Sequence, residues 1–237
     1  MLAMAMLVAV VLGPVQAFNE GNHLYAEKDY AGAAKAYEQA LRAGHDACVH
    51  YNLGNALFRS GQIGAAIVNY RRAYYLTPRD PDIQGNLAFA RAYRVDKSAT
   101  SPSPLARAAD RALRWMSRRE ASVLAGISFA LAALAMALWI VWRRAVLGAG
   151  ASLFGALWLF CFVVQQVWAG EVAARPAVIA LSEVSAASGP GEEFKQVMLL
   201  HDGTEVRIRE ARGDYLLVQL PGGGGGWLKR GAVQEVY

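Results

Sequence analysis

The 237-residue sequence predicts a multi-domain membrane protein made of three parts: an all-α region of helical repeats, a two-helix transmembrane hairpin and a small all-β barrel. Three observations carry this prediction. A stretch near the N-terminus repeats itself at a spacing of 33 residues, two long uncharged apolar runs follow, and short β runs separated by glycine turns close the chain. Composition agrees, with 55% hydrophobic residues, 18% charged residues and a mean hydropathy of +0.20. A disordered chain or a nucleic-acid-binding tail needs the opposite balance, so neither describes this protein and no nucleic-acid partner is expected. Cys48 and Cys161 alone cannot make a disulfide framework or a four-ligand zinc site.

Leu2 to Leu12 is an apolar run of 11 residues followed by Gly13-Pro14 and Val15-Gln16-Ala17. That is too short to cross a bilayer core about 30 Å thick as a relaxed helix. It matches the core of a secretory signal, with Val15 and Ala17 as the small residues before cleavage ahead of Phe18, although no Lys or Arg precedes it. Residues 1–17 therefore read as a signal peptide.

Aligning Gly21-Asn22 with Gly54-Asn55 sets the repeat. Tyr30 then meets Ile63, Ala33 meets Ala66, Tyr37 meets Tyr70, and Ala40-Leu41 meets Ala73-Tyr74. Each block reads as two short helices, where small residues allow close crossing and tyrosines fill the gap. Residues 18–47 and 48–80 are the two repeats, and 81–95 is a capping helix that repeats Asn52-Leu53 as Asn86-Leu87. The pattern resembles the tetratricopeptide (TPR) repeat, with Tyr51 to Phe58 similar to its first helix and Ala65 to Tyr75 to its second. The resemblance implies a groove for a partner segment, lined here by Asn22, Asn52, Asn55, Arg59 and Asn86. Asparagine amides can bond an extended backbone through donors and acceptors alike, though they can equally satisfy neighbouring helices. The family's carboxylate-clamp version needs basic residues where this chain has Phe18 and Asp82, which argues against C-terminal carboxylate recognition. Two repeats fall below the usual minimum of three, so packing on a partner or a second copy is expected.

A polar linker over 96–104 leads into a basic amphipathic helix over 105–120, where Arg107, Arg111, Arg114 and Arg118 share one face. Such a helix can lie on an anionic lipid surface. Residues 121–142 and 145–170 carry no charge and read as two transmembrane helices. Trp139 and Trp142 at one end, with Trp115 and Trp168 at the other, resemble interfacial belts. Ser122, Gly126 and Ala130, with Gly148, Ser152 and Ala156, offer small ridges for close packing. Arg143-Arg144 in the turn favours a cytoplasmic turn, whereas the more numerous arginines on the outer flanks favour cytoplasmic flanks. The signal-like start decides for export, which places both soluble parts on the exported side of the membrane.

From 171 to 237 the pattern turns to β. Runs at 176–180, 205–210, 215–220 and 226–228 alternate around turns at Ser188 to Gly191, His201 to Thr204 and Arg212 to Asp214, and predict a barrel of five strands. Gly222 to Gly226 reads as a hairpin connection, because no Lys-Ser or Lys-Thr follows it. The landmarks Ser188-Gly189-Pro190, Leu200 to Thr204, Gly213-Asp214-Tyr215 and Gly226-Trp227-Leu228 resemble a bacterial SH3-like domain. The resemblance implies a peptide or cell-wall groove with Phe194, Tyr215 and Trp227 as candidates, Trp227 also reading as core.

No histidine sits in a metal-ligand spacing and no serine sits in a nucleophile elbow. His45 and His50 flank Cys48, which could lower a thiol pKa, although small residues at a helix start simply pack. The expectation is a non-enzymatic protein without cofactor or metal. The order signal, TPR units, hairpin and SH3-like domain resembles the BatE family, the TPR-containing aerotolerance-associated proteins of bacteria. That resemblance implies an adaptor of the bacterial inner membrane, its soluble parts in the periplasm, working beside von Willebrand A-domain membrane proteins and a MoxR-type AAA+ ATPase in stress tolerance or chaperone-like assembly. A cell-envelope protein that grips peptidoglycan through the SH3-like domain is the alternative.

Overall fold

The computed structural model describes residues 2–96 and 103–237, with side chains from residue 13 onward. Residues 97–102 of the predicted linker over 96–104 lie outside the described residues, as do the side chains of the signal segment's apolar run from Leu2 to Leu12. The chain forms two compact units, one of residues 1–101 with 174–237 and the other of residues 102–173.

In the first unit, helices α1 (Leu2–Ala26), α2 (Tyr30–Ala40), α3 (Ala47–Arg59), α4 (Ile63–Leu76) and α5 (Pro81–Ala92) run in succession. The backbone of α1 continues unbroken through Ala17 and Phe18. The 33-residue repeat is visible bond by bond. Asp29 N donates to Leu24 O and Gln62 N to Leu57 O, both at 2.9 Å. Lys28 (φ 68°) and Gly61 (φ 83°) occupy the same left-handed turn position. Gly21 and Gly54 lie against the rings of Tyr37 and Tyr70, where a Cβ would stand 2.5 and 2.7 Å from ring carbons, closer than any side chain tolerates.

Local aspartates start three of these helices, as their side-chain oxygens accept from the orphan first-turn amides. Asp29 caps α2, Asp46 caps α3 and Asp80 caps α5. Helix α4 departs from the rule, since Gln62 makes no side-chain cap. Its amides at Ile63 and Gly64 donate instead to the two carboxylate oxygens of Asp202, at 2.9 and 3.0 Å.

Asp202 lies in the turn between the third and fourth strands of a seven-stranded antiparallel sheet: β1 (Pro176–Ile179), β2 (Glu183–Ala187), β3 (Gln196–His201), β4 (Glu205–Arg212), β5 (Tyr215–Gln219), β6 (Gly225–Lys229) and β7 (Val233–Glu235). The spatial order is β3-β2-β6-β5-β4-β1-β7. Inward residues of six strands, among them Ile179, Ala186, Leu200, Ile208, Val218 and Leu228, bury one another in a single core. The sheet therefore curls over its own inner face. Seven strands replace the five expected, because Glu183–Ala187 (Glu-Val-Ser-Ala-Ala) has a single large apolar side chain and Val233–Glu235 is only three residues long, leaving little hydrophobic alternation to read. Gly225 is not hairpin connection as expected but opens strand β6, and Gly226, read both as the end of that connection and as the start of the 226–228 run, belongs to the strand.

The sequence predicts separate modules over 18–95 and 171–237, and the structure fuses them. Val178 of β1 and Val236 share one hydrophobic core with Ala66, Ile67, Leu87 and Ala90 of the helices. Arg72 donates from Nε to Val236 O at 2.8 Å and from Nη2 to Glu235 O at 2.9 Å. Asp96 accepts from the His201 amide (2.9 Å) and from Thr204 Oγ1 (2.6 Å). Glu205, at the start of β4, receives Arg91 through both guanidinium arms at 2.8 Å, Arg94 at 2.8 Å and Arg71 at 3.2 Å. Three arginines on α4, α5 and the segment after α5 thus converge on one carboxylate.

The second unit consists of α6 (Pro104–Leu113), α7 (Arg118–Trp142) and α8 (Ala145–Ala173). The last two are apolar, with peak mean hydropathies of 2.3 and 2.1. They pack through Ala121, Ala125 and Ser128 against Ala151, Cys161, Val164 and Trp168. The expected ridges are off by about one residue: Ser122, Gly126, Ala130, Ser152 and Ala156 are exposed. The basic helix predicted over 105–120 is also shorter. It stops at Leu113, and Ser117 opens a new helix through a capping box with Glu120, which moves Arg118 into the first turn of α7.

Candidate protein-binding surfaces

The first helix of each repeat contributes an asparagine that receives the tyrosine of the second helix. Tyr37 donates to Asn22 Oδ1 and Tyr70 to Asn55 Oδ1, both at 2.8 Å. The neighbouring first helices then join the chain, as Asn52 Nδ2 approaches Asn22 Oδ1 at 3.4 Å and Asn86 Nδ2 donates to Asn55 Oδ1 at 2.9 Å. Asn86 also reaches the Tyr51 hydroxyl at 3.0 Å. Four of the five groove residues predicted from sequence are therefore brought together as a ladder that stitches the repeats. Each amide keeps further donors or acceptors beyond these bonds. Burial pushes the Tyr37 hydroxyl up to about 12 and the Tyr70 hydroxyl higher still, so both remain proton donors to their asparagines.

Arg59, the fifth residue, stands apart from the ladder. Its Nη2 donates to Tyr30 OH at 3.1 Å, and its guanidinium lies 5.3 Å from the centre of the Tyr30 ring. Beyond it is an aromatic cluster that the sequence reading missed. Phe58, Phe89 and Tyr93 sit with ring centres 5.0 to 5.5 Å apart, and Phe89 and Tyr93 are more than half exposed. Phe58 to Phe89 is a spacing of 31 residues, close to the repeat period, and that offset is the signal that could have revealed the pair.

The sheet carries a second surface. Phe194, Tyr215 and Trp227, the three aromatics predicted for it, line one cleft of about 500 Å³ together with Leu181, Val184 and Gln196. Phe194 is 41% exposed, whereas Trp227 is 8% exposed and serves as wall and core at once. Lys229 and Glu192 close one side with a 2.6 Å ion pair, and Arg212 lies 5.4 Å from the Trp227 ring centre. The exposed pair adds little stability, but it gives an otherwise apolar cleft a charged rim.

Around Cys48 the chemistry runs against an activated thiol. Burial, then the charges of Asp46 and Asp80, push its pKa up. The neighbouring imidazoles are committed elsewhere. Asn69 Nδ2 donates to Ala65 O at 2.9 Å, which leaves its Oδ1 to accept from His50 Nδ1 at 2.9 Å. His50 Nε2 must then accept from His45 Nδ1, also at 2.9 Å. Buried His50 is held neutral, its pKa lowered to about 4 chiefly by burial. Among the described residues no group of His, Cys, Asp and Glu could hold a metal ion.

Residues 54–92, spanning most of α3 through α5, match the TPR repeat family. No curated protein matches the chain. TPR repeats generally mediate protein–protein interactions, and the match falls on the stretch that carries Asn55, Arg59, Asn86 and the Phe58/Phe89 pair.

Proposed function

We propose that this protein is a non-enzymatic adaptor of the bacterial inner membrane, anchored by α7 and α8 and holding partner proteins on the helical-repeat face. The observation that carries the reading is the aromatic cluster of Phe58, Phe89 and Tyr93, with Phe89 and Tyr93 exposed, of which Phe58 and Phe89 share with Arg59, Asn55 and Asn86 the stretch that matches the TPR repeat. Aromatic and arginine side chains dominate the energetics of protein interfaces. The resemblance to the BatE family supplies the partner class: von Willebrand A-domain membrane proteins, working with a MoxR-type AAA+ ATPase in a stress-tolerance or chaperone-like assembly. The fused first unit acts as one receptor in which the SH3-like sheet braces the repeats. Export places that unit in the periplasm. Alkaline phosphatase fused after Tyr237 is then expected to be active, and a fluorescent cytoplasm-only reporter there to be dark; the reverse pattern would put the receptor on the cytoplasmic side.

The test of partner binding uses the full chain in detergent as bait for the soluble domains of such partners. Arg59→Ala combined with Phe89→Ala is expected to weaken capture at least tenfold, about 1.4 kcal/mol, which is modest for removing an arginine and an aromatic anchor. Unchanged capture would remove the repeat face from the mechanism. Asn55→Ala is a poorer probe, because it strips the acceptor from the buried Tyr70 hydroxyl and so perturbs the fold. A second reading, peptidoglycan binding, draws on the convergence of Phe194, Tyr215 and Trp227 in one cleft. It requires the chain to sediment with purified sacculi and to lose that property in Phe194→Ala with Tyr215→Ala.

A further inference from the structure

Helix α6 separates its side chains cleanly by angle. At 100° per residue, Leu105, Ala108, Ala109, Ala112 and Leu113 occupy one sector, and Arg107, Asp110, Arg111 and Arg114 occupy the other. No residue of α6 is buried, and Leu105 is 80% exposed, so its own chain leaves the apolar sector uncovered. The next helix starts five residues later, and its first turn adds Arg118 and Arg119.

The joint between the two helices is built rather than loose. Arg114 bonds Asp110 at 2.7 Å and Glu171 of α8 at 3.3 Å, and its guanidinium stacks 5.0 Å from the Trp168 ring centre. Trp168 Nε1 donates to Met116 O at 2.9 Å, which ties the segment between α6 and α7 to the end of α8. Glu120 is spent on the Ser117 cap. The acidic groups of this corner are thus engaged by Arg114 and Ser117. Arg107, Arg111, Arg118 and Arg119 are exposed, and among the described residues no carboxylate pairs with them.

We propose that α6 and the first turn of α7 form a binding surface for anionic phospholipid headgroups, with Leu105, Ala108 and Ala112 sunk into the interface and these four arginines on the phosphates. The occupant follows from continuity and charge. The surface is joined to the open ends of two apolar helices of 25 and 29 residues, and an amphipathic helix with a cationic polar face binds where apolar insertion and anionic attraction combine. The inference rests on the membrane reading of α7 and α8 given above.

The test reconstitutes the full chain into nanodiscs of phosphatidylcholine alone and of equal parts phosphatidylcholine and phosphatidylglycerol, and follows amide hydrogen exchange in α6. Each arginine near an anionic surface is worth roughly fivefold in binding, so α6 is expected to exchange at least tenfold more slowly in the anionic discs. A variant with Arg107, Arg111, Arg118 and Arg119 all changed to Gln is expected to exchange equally in both. Arg143→Gln with Arg144→Gln, in the turn at the opposite end of the helix pair, is expected to keep the difference. Equal exchange of the natural chain in both lipids, or a difference that survives the fourfold change, would overturn the proposal. Failure to enter either disc would instead overturn the membrane reading beneath it.

Discussion

Changing Glu205 to alanine is expected to cost the first unit about 3 kcal/mol, a shift of two decades in its unfolding equilibrium, because it removes the carboxylate on which three guanidinium groups converge. Arg71 and Arg94 are 11% and 14% exposed and carry most of the penalty, whereas Arg91, at 39%, is partly relieved by water. Glu205→Gln keeps the shape and some hydrogen bonds and should lose less. Urea unfolding of the full chain in detergent reads both. A loss below about 1 kcal/mol for the alanine variant would reduce the cradle to a surface pair. Acid supplies an independent check. Burial pushes the Glu205 carboxyl up, but Arg91, Arg71 and Arg94 pull it below its ordinary value. Its contribution is therefore present above the unfolded carboxylate pKa and is lost as pH falls through the depressed folded value. His50 acts earlier, since its folded pKa is about 4 and its unfolded value is 6.5. The unfolded chain takes the proton first, so on the order of 3 kcal/mol is lost as pH falls across that window. Asp202, raised by burial, works in the opposite sense and offsets part of the acid loss. The expected profile is stability that declines in two stages below neutrality, and Glu205→Ala should shrink the second stage without touching the first; a remnant stays because Asp96, raised by burial but pulled below its ordinary value by Thr204 and His201, still loses its bonds in acid.

The parts of the fold that read directly from sequence are those in which the cause and its effect lie close along the chain. Gly21 and Gly54 set the repeat whose tyrosines pack on them, and uncharged runs announce α7 and α8; Asp29, Asp46 and Asp80 lie just as close to the helices they start, though they went unread. The asparagine ladder was half legible: the repeat placed Asn22, Asn52, Asn55 and Asn86 on the first helices, but periodicity cannot say whether amides on one face bond one another or wait for a ligand. The three aromatics of the sheet cleft were legible from the SH3-like landmarks, although Trp227 is core as well as wall. The dock between helices and sheet was not legible. Glu205 meets Arg91 across 114 positions and Asp202 meets Ile63 across 139, and an arginine bound for a distant carboxylate looks the same in sequence as one bound for water. One trace existed, in the places where the second repeat departs from the first. Asp29 becomes Gln62, removing a local cap, and Ala31 becomes Gly64, removing a side chain. Both departures fall where the sheet arrives.

Gly64→Ala tests whether that second departure is a requirement of the dock. By helix propensity alone, alanine in α4 should stabilise the protein, since glycine in a helix costs about 1 kcal/mol relative to alanine. The first repeat shows that the repeat itself does not demand glycine, because Ala31 occupies the equivalent position and is exposed. In α4, however, a Cβ on Gly64 would run into the carbonyl oxygen of Ile179 and the carboxylate of Asp202, with the Gly203 amide 3.0 Å away. Two of these three atoms are backbone and cannot rotate aside. The sheet would have to withdraw, loosening the Asp202 cap on Ile63 and Gly64 and straining the shared core at Val178. We expect a net loss of roughly 2–3 kcal/mol, within the range for overpacking a buried site. The control is Gly85→Ala in α5, where nothing lies within 4 Å of the added Cβ; there propensity acts unopposed and a gain of up to about 1 kcal/mol is expected. Amide exchange at Ile63 and Gly64 should accelerate in the first variant and stay unchanged in the second. Opposite signs for one chemical change on two helices of the same protein would show that the sheet is pressed onto the first turn of α4 in solution, whereas a gain at both positions would mean that the two modules meet too loosely to brace one another.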